Sequence, residues 1–139
     1  MLMACVLGTM SISKADDKPI SSDQLPAAAR SFIEVNFPGE KISYATMDDD
    51  LFRPDYQVVL ANGFKVTFDN SGRLEQVECH GKAIPSGIVP VQIAEYVKGH
   101  YPDAVITDYE VGRKTYEVKL SNRMELKFNS GFNIIEIDD

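Results

Sequence analysis

Apolar side chains recur at every second position along Tyr56, Val58, Leu60 and along Phe64, Val66, Phe68, then again along Tyr116, Val118, Leu120 and Met124, Leu126, Phe128. A period of two sends successive side chains to opposite faces of a strand, so each set predicts a sheet with one dry face and one wet face. A different spacing precedes each set. Leu25, Ala29, Phe32, Ile33, Phe37 and Val89, Ile93, Tyr96, Val97, Tyr101 advance by steps of three and four, which makes a single apolar stripe on a helix. Pro26 and Pro90 suit a first helical turn, and Phe37-Pro38-Gly39 and Tyr101-Pro102-Asp103 stop the helices roughly three turns later.

Each pair of alternating runs reads as an antiparallel hairpin. Cross-strand partners share a face, so Leu60 must oppose Phe64, with Ala61-Asn62-Gly63 as a bulged turn in which Gly63 takes the left-handed position. The second hairpin has Ser121-Asn122-Arg123, where Arg123 pays a backbone penalty that glycine avoids. A further strand follows Asn70-Ser71-Gly72 and Ser130-Gly131, and one precedes each hairpin near Lys41 to Met47 and Val105 to Val111. The apolar phase shifts between Leu74 and Val77 and between Ile134 and Ile135, which predicts a bulge in each closing strand.

These elements occur twice. Leu25-Pro26 and Phe37-Pro38 return 64 positions later as Val89-Pro90 and Tyr101-Pro102, whereas Tyr56 through Val77 return at a shift of 60 as Tyr116 through Ile137. The difference places an insertion of four in the first copy between Ile42 and Tyr56, in the 48–54 stretch. The fold class expected is therefore α+β: a tandem repeat, 24–80 and 88–139, of a helix plus a four-stranded antiparallel meander. A unit of about 55 residues buries little core alone, so the two sheets are expected to join into one curved sheet with both helices on one face.

Length and charge narrow the class. Met1 to Ile12 is apolar or small throughout and too short to span a bilayer, and Ser13-Lys14-Ala15 precedes a polar run, so residues 1–15 read as a secretory signal lacking its basic start. An N-terminal core helix is the alternative, opposed by Gly8 and the missing cap. Leu2-Met3-Ala4-Cys5 also matches a lipobox, which would tether the chain through Cys5, but the approach to it is very short. Cleavage after Ala15 leaves a single domain, 16–139, in which Cys79 has no intramolecular disulfide partner. The whole chain of 139 residues carries 14 Lys and Arg against 21 Asp and Glu, and losing Lys14 brings the balance to about −8. That charge disfavours nucleic acid and anionic membranes, and the composition, 44% hydrophobic, supports a packed interior.

The wet face of the sheet follows from the same alternation. Glu117 should oppose Lys127 and Lys119 should oppose Glu125; in the first hairpin Gln57 should face Thr67 and Val59 should face Lys65. Such residues serve either as a solvated face with register-fixing pairs or as a polar recognition surface, which Tyr44 would extend. The insertion adds Leu51, Phe52 and Arg53, an aromatic and a cation on a loop, which either fold back on the core edge or act as binding anchors. Asp48-Asp49-Asp50 lacks the alternating ligands, turn glycine and terminal glutamate of a helix-loop-helix calcium site.

No catalytic constellation emerges. Cys79 and His80 are neighbours on a strand and point to opposite faces, and His100 closes the second helix, where a cation favours the helix dipole. A phosphate loop, a metal-spaced His/Cys set and a nucleophile elbow are all missing, so neither an enzyme nor a cofactor is expected.

The paired Leu-Pro/Phe-Pro helices, each followed by a meander with turns such as Asn62-Gly63 and Asp69-Asn70-Ser71-Gly72 behind an export signal, resemble the PepSY-like family of beta-lactamase-inhibitor-like periplasmic proteins. The resemblance covers nearly the whole mature chain. It implies the beta-lactamase-inhibitor fold, with an open sheet face that grips a partner protein, and a periplasmic or secreted location. The inhibitor itself carries a disulfide in each repeat and an aromatic-rich binding face; this chain keeps one mature Cys and has no Trp, so only the fold and the idea of a binding face carry over. The function expected is an exported binding or inhibitory module acting on an unidentified envelope protein through the sheet face and the 48–54 loop. An envelope sensor or structural domain that binds a small ligand or cation is the alternative.

Overall fold

A computed structural model of the chain describes residues 17–48 and 54–139. Among the described residues nine strands form one antiparallel sheet in strict sequence order: β1 (Asp17–Ile20), β2 (Ile42–Asp48), β3 (Tyr56–Leu60), β4 (Lys65–Phe68), β5 (Leu74–Glu78), β6 (Ile106–Val111), β7 (Thr115–Leu120), β8 (Glu125–Asn129) and β9 (Ile134–Asp138). Helix α1 (Ala27–Asn36) lies between β1 and β2 in the chain, and α2 (Val91–His100) between β5 and β6. The architecture is α+β.

The first strand was not anticipated. Asp17-Lys18-Pro19-Ile20 has no apolar alternation to mark it, yet it pairs with β2, setting Ile20 opposite Ala45 and Pro19 opposite Thr46. Pro19 is tolerated because β1 is an edge strand. Two smaller boundaries also moved. Pro26 and Pro90 sit one residue ahead of their helices in extended conformation, and Asp48 ends β2 instead of opening the loop.

One side of the sheet is dry. Ala45, Val58, Leu60, Val66, Phe68 and Val77 pack under Leu25, Ala29, Ile33 and Phe37 from the first helical segment. Tyr109, Val118, Leu120, Leu126 and Phe128 pack under Ile93 and Val97 of α2. Leu74, Ile84 and Ile88 touch both groups. The helices meet the sheet through matched aromatic pairs: Phe32 edge-on to Phe68 at 5.6 Å, and Tyr96 edge-on to Phe128 at 5.4 Å. Each buried phenylalanine contributes about 1.5–3 kcal/mol relative to exposure.

Several hydrogen bonds have counterparts 60 or 64 positions further along the chain. The Leu60 amide donates to the Phe64 carbonyl as Leu120 does to Met124, and Ala61 donates to Lys41 as Ser121 does to Val105. Asn62 Oδ1 accepts the Phe64 amide and Asn122 Oδ1 the Met124 amide, both at 3.0 Å. The Asp48 amide donates to the Asp55 carbonyl, and the Gly112 amide to the Thr115 carbonyl. The extra residue of each bulge is Glu75 in β5, skipped between Thr67↔Gln76 and Phe68↔Leu74, and Ile135 in β9, skipped between Lys127↔Glu136 and Phe128↔Ile134.

One correspondence fails in environment. Val77 is fully buried, but its counterpart Ile137 is 50% exposed. Val77 lies inside the sheet, between β4 and β6, whereas Ile137 lies on β9 at the edge.

Candidate binding face

The face away from the helices is assembled by register. Thr46, Gln57, Thr67 and Gln76 are successive cross-strand partners, and the row continues through Glu110, Glu117, Lys127 and Glu136. A second row runs Tyr44, Val59, Lys65, Glu78, Asp108, Lys119, Glu125 and Asp138. From β2 to β8 each member alternates with a core residue on its own strand, and register carries both rows onto β9, so both rows face outward. All four anticipated cross-strand pairs hold: Gln57 with Thr67, Val59 with Lys65, Glu117 with Lys127, and Lys119 with Glu125.

Tyr44 joins them at the outer end of its row, 57% exposed. Leu51, Phe52 and Arg53 lie outside the described residues. What sequence reasoning missed is the middle of the surface. Gln76, Glu78, Asp108 and Glu110 belong to β5 and β6, whose pairing bridges the two hairpins. Their period-two alternation was available in the sequence, but the pairing of β5 with β6 was not.

The face is polar and carries more carboxylates than cations toward β9. A shallow depression of about 110 Å³ opens at the β5–β7 centre, lined by Gln76, Asp108, Glu110, Glu117, Lys119 and Glu125. Lys127 forms an ion pair with Glu136 at 3.6 Å, along the row instead of with its other neighbour Glu117. Among the described residues there is no grouping of three or more His, Cys, Asp or Glu able to hold a metal ion.

The residues considered for chemistry have structural surroundings. Cys79 is fully buried, and burial, with the Asp108 charge adding to it, pushes its thiol up to about 11. His80 beside it is exposed, with φ of 50°. His100 stacks on Tyr96 at 4.0 Å and places Nδ1 2.9 Å from the Tyr96 carbonyl in the last turns of the helix. No described helix is long and apolar enough to cross a membrane.

Residues 54–136 match the PepSY-like family, described as "putative beta-lactamase-inhibitor-like". The chain belongs to that family. Three solved structures carry the same fold over nearly their whole length. A "putative calcium-regulated periplasmic protein" from Bacteroides thetaiotaomicron is 44% identical, with a TM-score of 0.87 over 91% of this chain and 99% of that one. A "putative periplasmic protein" from Bacteroides vulgatus is 44% identical, with a TM-score of 0.85 over 89% of this chain and 98% of its own. A second Bacteroides vulgatus periplasmic protein, of unknown function, is 31% identical, with a TM-score of 0.83 over 88% and 99%. A comparison with curated proteins returns no match.

Proposed function

We propose that this PepSY-like chain is an exported, non-enzymatic module that recognises a protein partner in the cell envelope through its outward polar face and the 48–54 loop. Residues 1–15 act as the export signal, with release after Ala15 favoured over a tether at Cys5, and 16–139 form one domain of two repeated units, 24–80 and 88–139. The observation that carries this reading is the β5–β6 register. It sets Gln76 opposite Glu110 and Glu78 opposite Asp108, so the polar residues of both hairpins share one face that no described helix covers. The periplasmic description of the three similar structures supports the location. The partner surface is basic, to complement Glu78, Asp108, Glu110 and Glu117.

The test is capture from an envelope extract with the mature chain and with two variants, Glu110→Lys/Glu117→Lys on the face and Phe52→Ala/Arg53→Ala on the loop. One stoichiometric partner, weakened at least about tenfold by the face variant, supports the reading. Capture indifferent to the face variant refutes the surface, and indifference to the loop variant removes the loop.

The calcium-regulated description of the Bacteroides thetaiotaomicron protein favours a second reading, in which the domain senses a cation. A rise in melting temperature with calcium and not with magnesium supports it; equal response to both ions contradicts it.

A further inference from the structure

The two edges of the sheet are unlike. β1 is four residues long and carries Pro19, which has no amide hydrogen to offer, beside Asp17 and Lys18. β9, Ile134-Ile135-Glu136-Ile137-Asp138, has no proline and, among the described residues, no strand on its second side. Its outward amides and carbonyls are a template for another strand.

The apolar row that ends there is unfinished. Val118 and Leu126 are buried, and the next partner in that row, Ile137, is half exposed. On the opposite face Glu136 and Asp138 close the two polar rows, with Lys127 behind the first and Glu125 behind the second. A strand added to β9 would therefore set one side chain beside Glu136, one beside Ile137 and one beside Asp138. Cation, aliphatic, cation is the sequence that complements them.

A second copy of the chain offers no such cations: antiparallel pairings of β9 with itself that set Ile137 opposite Ile137 or Ile135 place Glu136 against Asp138 or Glu136, where like charges are destabilising, and the pairing that sets Ile137 opposite Ile134 gives Glu136 only Ile135 as a partner. We infer that the β9 edge is a strand-acceptor site for an extended basic segment of a partner, alternating Lys or Arg with aliphatic residues. This edge adjoins the polar face at Glu136 and Asp138, and backbone pairing along β9 is what distinguishes binding here from binding on that face.

The probe is a short peptide alternating lysine and valine, with two controls: the glutamate–valine counterpart, and the lysine–valine peptide methylated on alternate backbone nitrogens, which keeps the charge but cannot pair. Binding affinity and hydrogen exchange of the full mature chain are read together. The expected result is protection confined to β9 amides, a drop in affinity of about tenfold or more with either control, and a similar drop in Glu136→Lys/Asp138→Lys. Gln57→Ala/Thr67→Ala, on the polar face, leaves the protection unchanged. Equal binding of the methylated peptide, protection that maps to the polar face, or no protection by any peptide overturns the inference. The methylated control and the protection map read strand pairing alone and leave partner capture by the centre of the face, at Glu110 and Glu117, to its own test.

Discussion

Val77 and Tyr109 stand directly opposite each other across β5 and β6, both buried, although Val77 packs with the α1 core and Tyr109 with the α2 core. Opposed residues of an antiparallel pair share a face. This contact therefore puts both helices on one side of the sheet and turns the neighbouring Gln76, Glu78, Asp108 and Glu110 outward together.

Truncating Tyr109 to alanine removes that joint. The expected loss is about 3–5 kcal/mol, in the range of large aromatic truncations in cores, seen as a lower urea midpoint. Glu110→Ala, one residue away on the outer face, should change stability by less than about 0.5 kcal/mol.

Two turns, β4–β5 and β7–β8, should respond in opposite directions to glycine chemistry. Gly72 has φ of 92°, and a Cβ there would lie 2.9 Å from Pro26 Cβ, so Gly72→Ala combines backbone strain with a clash against the start of α1. A loss of about 2–4 kcal/mol is expected. Arg123 has φ of 75° at the position that Gly63 fills in the first hairpin, and Arg123→Gly should stabilise by about 0.5–1 kcal/mol. Urea unfolding of the two variants measures both.

Acid should weaken one turn and spare its counterpart. Burial pushes the Asp69 carboxyl up, but the Arg73 and Ser71 amides and the Ser71 hydroxyl donate to it, the Arg73 charge adds, and the net result lies below the ordinary value. Asn129 Oδ1 accepts the Gly131 and Asn133 amides in the same way without titrating. A depressed folded pKa stabilises above the unfolded value of 3.8 and loses that contribution as pH falls through the folded value. Asp69→Asn should therefore flatten stability against pH below about pH 4, measured by thermal unfolding.

Alkali should act on the core. The Cys79 thiol is pushed from 9.0 up to about 11 by burial and then by Asp108, and the Tyr109 phenol from 10.0 up to about 12 by burial and then by Tyr116. Both groups stay protonated in the folded chain after the unfolded chain has ionised, so stability is unaffected below about pH 9 and falls as pH rises toward 11. Cys79→Ala should remove the part of that slope between about pH 9 and 11, and thiol reagents should label native Cys79 only on unfolding.

Much of this arrangement was legible because period and turn chemistry agree locally. The alternation at Tyr116 to Phe128 fixed the Glu117–Lys127 and Lys119–Glu125 pairings, and Asn62-Gly63 announced its own turn. β1 was not legible, because four residues with a proline carry no periodic signal and are held by pairing to β2. The centre of the candidate face was missed for a related reason. Gln76, Glu78, Asp108 and Glu110 are brought together by strands about 30 positions apart, a contact that no local spacing encodes. Ile137 reads like Val77 in the pattern, and only its place at the sheet edge leaves it uncovered.

Placing a photo-crosslinking residue at Glu110, in the middle of the outward face, and for comparison at Glu95, on the exposed side of α2, interrogates the surface in living cells. One discrete adduct with an envelope protein from the Glu110 site, and none from Glu95, is the result this account predicts. Adducts of equal yield from both sites, or from Glu95 alone, would contradict it.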